Sequence, residues 1–417
     1  MKLLTRISRI IIGLVFVFSG LTKGIDPLGT AYKLSDYFSA FNIGFLEHLA
    51  LPLSVLLCSV EFITGLMLVT GAFTKIASWA VALFMALFTP LTLALAVFNP
   101  VSDCGCFGDA IHLSNWQTFY KNILLTVIVI FVFIRRDDRT GTMSCKNSAR
   151  AASSYIVIFL LFVWYNLSYL PLIDFRPYRP GTNLPEAMTM PEGAPADKYD
   201  IRFIYQKEGV QKEFTLSDYP ANDTTWEFVD QRSVLVSQGY KPLVHDFYLV
   251  NEEGADITQE ILGDPGFNIL MICGKLEKSN KKGLAGGLKL GHAVQRQNIG
   301  FHIVTATPSE EAKTVTAGFN TLFADETILK TVIRANPGFL LLHNGTVMAM
   351  WSHRGVPSAG EFKGDLNALS VKSHTRKISR LLLICSFLII SVIYLVTKLS
   401  GSDNNEVQKT KTKSIKP

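Results

Sequence analysis

The sequence has few charged residues. Only 18% of its 417 residues are Asp, Glu, Lys or Arg, whereas 48% are apolar, and the mean hydropathy is +0.27. A soluble protein of this length would carry more charge, so membrane segments are expected. The basic residues border apolar runs and do not alternate with aromatic residues along a stripe. We therefore expect no nucleic-acid partner.

Cysteine is also scarce. The chain has six cysteines, and only Cys104 and Cys106 form a pair by sequence. Cys58 and Cys385 lie inside apolar runs, where a free cysteine commonly packs as a small hydrophobic residue. Cys145 stands alone in a basic loop. Dithiol chemistry within the chain is therefore expected at Cys104 and Cys106.

Long apolar runs are abundant. A helix needs about 20 apolar residues to cross a bilayer core about 30 Å thick. Five runs reach this length or nearly reach it, and a shorter run lies near the N-terminus; together they are 4–22, 51–70, 75–98, 118–134, 154–172 and 380–397. The first run resembles a secretory signal peptide in its basic start and apolar centre. Since no small-x-small cleavage site follows it, we expect an anchored helix there.

Loop charges predict the orientation of these segments. Basic residues precede the first run and crowd the loop at 135–150, whereas the loop at 99–117 has no Lys or Arg. The positive-inside rule therefore places both termini in the cytoplasm and the polar stretch 173–375 outside it. One basic cluster before the last run disagrees with this orientation; it consists of Lys372, Arg376, Lys377 and Arg380. In either orientation, the loop at 99–117 and the stretch 173–375 share one side of the membrane.

These patterns divide the chain into six parts. The expected parts are a four-helix membrane domain at 1–137, a basic cytoplasmic loop with a fifth transmembrane helix at 138–172, a Pro- and Gly-rich linker at 173–200, a globular domain at 201–370, a sixth transmembrane helix at 376–398 and a polar basic tail at 399–417. The predicted fold class is an all-α membrane bundle joined to an α/β soluble domain.

The globular part alternates strands and helices. Buried strands are expected at 267–273 and 300–306, with a helix at 279–297 between them. Two more helices are expected near 309–317 and 325–335. The segment 338–351 has two apolar runs around Asn344 and Gly345, which predicts a β-hairpin because both residues tolerate the positive φ of a type I′ turn.

This order, with Pro337 just before the hairpin, resembles the thioredoxin fold over about 258–355. In that family a proline, often cis, precedes a strand similar to the one in "NPGFLLLHNG". Thioredoxins also carry Cys-x-x-Cys after the first core strand, whereas the turn at 273–280 here contains Cys273 alone. A dithiol cycle needs an attacking and a resolving sulfur. We therefore expect a degenerate thioredoxin-like domain for binding partners, with a lone reactive Cys273 as the alternative.

Three motifs of the first 137 residues resemble the DoxX/MauE family of four-helix membrane proteins. They are FSGxxKxxDP from Phe18, ExxxGxxLxxG from Glu61 and CGCFGD from Cys104. The family is associated with disulfide and quinone-linked redox work, and MauE with maturation of a disulfide-rich methylamine dehydrogenase subunit. The resemblance implies a redox role for Cys104 and Cys106, a role for Glu61, and quinone as a possible cofactor.

The loop around Cys104 and Cys106 leaves three chemical alternatives open. Residues two apart can reach the Cα separation of about 4.4–6.8 Å that a disulfide needs, and Gly105 lets the backbone bend sharply. A reversible disulfide or exchange with a partner is the first alternative, and an inert thiol pair is the second. A metal site is the third, although zinc needs about four ligands and only His112 and two aspartates stand nearby. We expect no metal.

Glu61 is a carboxylate in the middle of an apolar helix. Such a group is costly in a membrane and usually faces the bundle interior, while Gly65 and Gly71 would permit close helix approach. It either forms a structural hydrogen bond between helices or handles protons or quinone. Lys23 and Asp26 are expected to form an interfacial pair at the end of the first helix.

The leading functional hypothesis is a redox-associated membrane protein that presents a dithiol outside the cytoplasm. Its expected partners are membrane lipid and a protein with thiols or a disulfide, and its expected location is a bacterial inner membrane with the large domain in the periplasm. The alternative is a non-catalytic scaffold or maturation factor. A transporter is a weaker hypothesis because no repeat of broken helices is evident.

Overall fold

The computed structural model describes residues 1–101, 104–137, 143–195, 198–218, 220, 223–237, 239–384, 386 and 390. The N-terminal part consists of α1 (Lys2–Ile25), α2 (Pro27–Ala40), α3 (Ala50–Thr70), α4 (Thr74–Phe98), α5 (Asn115–Ile134) and α6 (Cys145–Ser168). Five of these, all but α2, are long and apolar enough to cross a membrane. They indicate a multi-pass membrane protein, as the apolar runs predict.

Glycines let α1 and α3 pack closely. A Cβ added at Gly13 would lie 2.8 Å from the carbonyl oxygen of Gly65, and one at Gly20 would lie 2.5 Å from the backbone nitrogen of Phe62. Small residues at such crossings allow helix backbones to approach each other within a membrane. Gly71, the second residue expected to permit close approach, instead ends α3 in the left-handed conformation, with φ 83°.

Residues 23–50 form more than a connecting loop, because they contain α2 and a 3-10 helix at Gly44–Leu49. The side chain of Asp26 caps α2 by accepting a hydrogen bond from the Gly29 backbone nitrogen at 2.9 Å, and Pro27 occupies the first position of the helix. This helix was not expected because its 14 residues are too few to cross a membrane and mix polar with apolar side chains.

The segment 173–200 differs from the linker that its proline and glycine content suggests. Tyr178 and Leu184 are buried in an apolar core of the soluble part. Asn183 forms a β-bridge with Thr346, and a short helix, α7 (Leu184–Met188), follows. Apart from Ala196 and Asp197, which are not described, the expectation of a plain linker is corrected to an irregular segment that packs on the soluble part.

The region expected as one globular domain at 201–370 contains two sheets. The first is antiparallel, with β1 (Lys198–Lys207), β2 (Val210–Thr215) and β3 (Glu227–Ser237) in the order β2-β1-β3. Ile204 and Phe214 are buried, but most of the other described side chains of β1 and β2 are not. Sequence reasoning missed these strands, although residues 198–203 of β1 alternate polar and apolar residues as a half-exposed strand does.

The second sheet has five strands in the order β6-β5-β4-β7-β8. They are β4 (Phe267–Cys273), β5 (Gly300–Thr305), β6 (Asn320–Phe323), β7 (Gly338–His343) and β8 (Thr346–Ser352), with helices α8 (Thr258–Gly263), α9 (Lys281–Gln295), α10 (Ser309–Thr316) and α11 (Glu326–Val332). The first three strands are parallel, and β7 is antiparallel to both β4 and β8. Separate apolar cores lie on the two faces.

The structure confirms a soluble α/β region after the membrane helices. Strands, helices and a hairpin occur where the pattern of 267–351 predicts them, and Asn344 and Gly345 both have positive φ in the hairpin turn. The short edge strand β6 was not predicted. The Asn336–Pro337 peptide bond is cis. The thioredoxin-like assignment stays a prediction.

A twelfth helix, α12, is described over residues 366–384. Leu381 and Ile384 pack against the core of the membrane helices. Most of the sixth transmembrane helix predicted at 376–398, and the whole tail at 399–417, lie outside the residues that the structure describes.

Candidate functional site

The loop between α4 and α5 brings two sulfurs together. The Sγ atoms of Cys104 and Cys106 lie 2.8 Å apart. Gly105 between them has φ 62°, a left-handed conformation that glycine adopts without steric penalty. Both cysteines are half-buried. Asp103, the aspartate next to the pair in sequence, lies outside the described residues.

Two hydroxyl groups contact the backbone of this loop from the helices below. The Tyr37 hydroxyl donates a hydrogen bond to the Cys104 carbonyl oxygen at 2.8 Å. The Ser19 Oγ lies 2.8 Å from the Cys106 carbonyl oxygen and 2.9 Å from Glu61 Oε2. Because a serine hydroxyl has a single proton, it can donate to only one of these oxygens at a time. Ser19 thus couples the loop to the carboxylate of Glu61.

Glu61 forms a buried ion pair with Lys23. The Lys23 Nζ lies 2.7 Å from Oε1 and 2.8 Å from Oε2 of Glu61, and it also donates to Ser19 Oγ at 3.0 Å. Both charged side chains are buried. Such a pair requires good geometry to offset the cost of removing two charges from water. The expected pair of Lys23 with Asp26 is corrected, because Lys23 turns into the bundle.

The surroundings make the two thiols unequal. Cys104 and Cys106 share a hydrogen bond in which either sulfur can donate. This bond lowers the pKa of Cys106 to about 6, and the charges of Lys121 and Lys23 act in the same direction, whereas burial opposes them. The same hydrogen bond and burial raise the pKa of Cys104 above its ordinary range. Since the thiolate is the nucleophilic form, these surroundings favour a thiolate at Cys106 more than at Cys104.

A cavity of about 130 Å³ lies beneath the loop. The two cysteines, Lys23 and Glu61 line it together with an apolar wall formed by residues such as Phe16, Leu57, Met85, Phe88 and Leu91. An apolar wall with a cationic donor fits a quinone ring and a carbonyl oxygen, which Lys121 would meet, since the ammonium protons of Lys23 are already donated to Glu61 and Ser19. When bound, a quinone accepts two electrons and two protons. A quinone cofactor stays a prediction.

The soluble part reaches the edge of this site through Arg334. Its Nε lies 2.7 Å from Asp26 Oδ2, and its Nη2 lies 3.4 Å from Asp109 Oδ2 in the loop that follows the cysteines. The guanidinium also lies over the ring of Tyr32 at 5.2 Å. These contacts place the loop and the soluble part on the same side of the helical bundle. Two long helices, α5 and α6, separate the loop from the soluble part in sequence, and an even number of spans returns the chain to the same side.

Cys273 is separate from this chemistry. It ends β4 with an exposed fraction of 0%, and burial raises its pKa to about 12. A buried thiol that stays protonated is a poor nucleophile. The environment of Cys273 therefore favours a structural residue over the lone reactive thiol considered from the sequence.

The described part of the loop shows no assembled set of metal ligands. In the part of the chain that the structure describes, no group of three or more His, Cys, Asp and Glu side chains could hold a metal ion. His112 is exposed, and Asp109 is engaged by Arg334.

The structure brings the three site residues predicted from the sequence into one cavity: Cys104, Cys106 and Glu61. Sequence reasoning missed Ser19, Tyr37, Lys121 and Arg334 as parts of the site. The sequence did contain a signal for the ion pair of Lys23 with Glu61, because a lysine and a glutamate in two apolar helices are expected to pair with each other. Arg334 gave no signal, since its acidic partners lie more than 200 positions away in sequence.

These features define a multi-pass membrane protein with a soluble α/β part and with two adjacent cysteines in the loop between α4 and α5. Residues 1–135 match the family of methylamine utilisation protein MauE. Residues 199–238, which cover the three-stranded sheet, match a domain of unknown function, DUF8463.

Among curated proteins, Protein TlpB of Flavobacterium psychrophilum is 25% identical over 138 residues, which are 30% of this chain and 35% of TlpB. The chain thus spans about a third of the length of this relative. No solved structure matches the chain significantly.

Proposed function

We propose that this protein performs thiol–disulfide exchange with a partner protein through Cys106 and Cys104. The observation that carries the proposal is the adjacency of the two sulfurs, 2.8 Å apart, in a loop that rests on the buried pair of Lys23 and Glu61. The resemblance of the membrane part to the DoxX/MauE proteins, which are associated with disulfide redox work, supports it.

The exchange balances in two steps. The Cys106 thiolate attacks one sulfur of a partner disulfide, so a mixed disulfide forms, the partner's bond breaks and its other sulfur leaves as a thiolate. Cys104 then gives up its proton and attacks the Cys106 sulfur, which releases the partner's second sulfur. The loop loses two electrons and the partner gains them. The two partner thiolates take up the Cys104 proton and one proton from water. The reverse sequence oxidises a partner dithiol.

The membrane helices α1 and α3 support this chemistry through three side chains: Lys23, Ser19 and Glu61. The ammonium of Lys23 favours the thiolate of Cys106 electrostatically, and Ser19 contacts the Cys106 backbone. Glu61 holds Lys23 in place, since an unpaired ammonium would be costly at this depth. We infer that these residues position the reactive sulfur without contacting the partner.

The soluble part is inferred to be a thioredoxin-like domain that recognises the partner and does not exchange disulfides itself. Its strand order, the hairpin after Pro337 and the single buried Cys273 support this inference. We place it in the periplasm, with the membrane helices in a bacterial inner membrane. The basic loop at 135–150 supports this orientation.

Trapping of mixed disulfides in cells tests the proposal. With Cys104→Ser, the first step should occur and the second should fail, so a partner adduct sensitive to dithiothreitol should accumulate. Cys106→Ser should give no adduct, and Cys145→Ser, which changes an exposed cysteine at the opposite end of the bundle, should behave as the unsubstituted protein. Equal yields of adduct with Cys104→Ser and Cys106→Ser contradict the roles assigned to the two sulfurs. Absence of an adduct in both variants contradicts the exchange and favours a non-catalytic scaffold.

A further inference from the structure

Three residues of the basic cluster before the last apolar run line a second cavity, remote from the loop of Cys104 and Cys106: Arg376, Lys377 and Arg380. This cavity of about 340 Å³ lies between the end of α6, the turn after β8 and α12. Hydrogen bonds fix its walls together: Trp351 Nε1 donates to Ser373 Oγ at 3.3 Å, and Ser370 Oγ donates to the Met348 carbonyl oxygen at 2.5 Å. The cavity is therefore held in shape by contacts between the elements that form its walls.

Cations outnumber anions around this cavity. Arg354, Arg376, Lys377 and Arg380 line it together with His374, whereas Glu361 is the acid among its lining residues. Glu361 already contacts Arg376 at 3.9 Å and Lys372 at 3.6 Å.

Three of the lining cations lack a direct partner. Across the described residues, Arg354, Lys377 and Arg380 form no ion pair and no side-chain hydrogen bond. Lys377 is half-buried, and the nearby carboxylate of Asp174 is held by Arg176 at 2.7 Å. Arg354 and Arg380 are exposed, whereas Lys377 is a half-buried cation whose nearest carboxylate is already paired. Such a group is costly without a partner of its own, so the arrangement favours an anionic ligand at Lys377 with the two arginines at the mouth of the cavity.

A buried hydroxyl on the cavity wall supports the same conclusion. Ser352 is 3% exposed, lines the cavity, and its Oγ has no hydrogen-bond partner. Gly355 lies between Ser352 and Tyr169 and has no side chain to fill the space there. A Cβ added at Gly355 would lie 3.8 Å from the Ser352 Oγ and 3.9 Å from the Tyr169 ring, at van der Waals contact with both. A hydroxyl donor beside several cations matches the needs of phosphate oxygens.

The position of the cavity identifies the source of such a phosphate. Tyr165 and Tyr169 line it at the end of α6, and tyrosine is enriched where membrane meets water. One residue after Arg380, Leu381 already packs on the core of the membrane helices. The cavity therefore opens at the level of lipid headgroups, on the side of the soluble part.

We propose that this cavity binds the phosphate headgroup of an anionic membrane phospholipid. The lipid then neutralises Lys377, Arg354 and Arg380 and holds the soluble part against the membrane surface. The proposal also explains why a basic cluster stands on the side that loop charges otherwise predict to be poor in Lys and Arg. It is independent of the dithiol chemistry.

Native mass spectrometry of the full-length protein in neutral detergent tests this proposal. Phosphatidylglycerol should bind in preference to phosphatidylcholine, and Lys377→Gln or Arg354→Gln should weaken that binding about fivefold each. Lys377→Arg keeps the charge and should bind normally. Lys372→Gln is the matched control, because Lys372 is exposed on the same helix, contacts Glu361 and does not line the cavity.

Two results would overturn the proposal. If phosphatidylglycerol and phosphatidylcholine bind equally, or if Lys372→Gln weakens binding as much as Lys377→Gln, the cavity does not select an anionic headgroup. If inorganic phosphate alone competes fully with the lipid at matched concentration, the ligand is a soluble phosphate and the lipid assignment is wrong.

Discussion

The guanidinium Nε of Arg334 lies 2.7 Å from the Oδ2 of Asp26, although the two residues are 308 positions apart in sequence. Both side chains are largely withdrawn from solvent, at 7% and 14% exposure. The contact joins the soluble α/β part to the membrane helices directly beside the dithiol loop. Access to the two sulfurs is therefore linked to how the soluble part is docked.

The first prediction concerns this contact. Arg334→Gln should open the docked arrangement, since removing one partner of a buried charge pair costs about 2–5 kcal/mol. A bulky maleimide should then label Cys106 faster than in the unsubstituted protein. Arg296→Gln, which removes an exposed arginine of the soluble part, should leave the labelling rate unchanged. Unaltered labelling with Arg334→Gln would show that docking does not shield the loop.

The second prediction concerns the buried pair of Lys23 and Glu61. Lys23→Met alone should destabilise the protein by about 3–5 kcal/mol, because it leaves Glu61 buried without a partner. The double variant Lys23→Met with Glu61→Leu should recover much of the loss, as thermal unfolding of the full-length protein in detergent would measure. In the double variant the pKa of Cys106 should rise, since the ammonium that favours its thiolate is gone. Full stability of Lys23→Met alone would argue against the pair.

The third prediction is a pH dependence. The pKa of Cys106 is lowered to about 6, and alkylation requires the thiolate. The rate of iodoacetamide labelling at Cys106 should therefore be high at neutral pH and fall as pH drops through about 6. Cys104→Ala removes the hydrogen-bond donor and should move the midpoint upward, whereas Cys104→Ser keeps a hydroxyl donor and should move it less. Equal midpoints for these two variants would exclude the hydrogen bond as the cause.

The fourth prediction separates Cys273 from exchange. Burial raises the pKa of this thiol to about 12, so Cys273→Ser should leave the yield of trapped partner unchanged. Its expected effect is a small loss of stability, because a hydroxyl replaces a buried thiol without an assured partner. Loss of the partner adduct in Cys273→Ser would make Cys273 part of the exchange path.

Much of the fold follows from local patterns. The apolar runs indicated the membrane helices, and Asn344 with Gly345 indicated the hairpin between β7 and β8. Both predictions were possible because segment length, periodicity and turn propensity depend on residues that are neighbours in the sequence. The edge strand β6 escaped prediction because it has only four residues. Helix α2 escaped because it is too short to cross a membrane and mixes polar with apolar residues. The first sheet escaped although residues 198–203 of β1 alternate polar and apolar residues, because the start of this strand falls within the Pro- and Gly-rich segment 173–200.

The site was predictable only in part. Cys104 and Cys106 stand out by their spacing, and Glu61 by its charge within an apolar helix. The partners that set their chemistry are assembled by tertiary packing. Lys23 reaches Glu61 because α1 and α3 cross closely, and the acidic partners of Arg334 come from the membrane part. No local spacing encodes such contacts.

Differential alkylation of the segment 99–117 tests the central claim most directly. The full-length protein in membranes is equilibrated at a series of ratios of reduced to oxidised dithiothreitol, and the segment is analysed by mass spectrometry. We predict that Cys104 and Cys106 lose two hydrogens together, reversibly, as the ratio becomes oxidising, while Cys273 stays a thiol. If both loop cysteines remain alkylatable thiols at every ratio, the dithiol does not exchange and the proposed function is wrong.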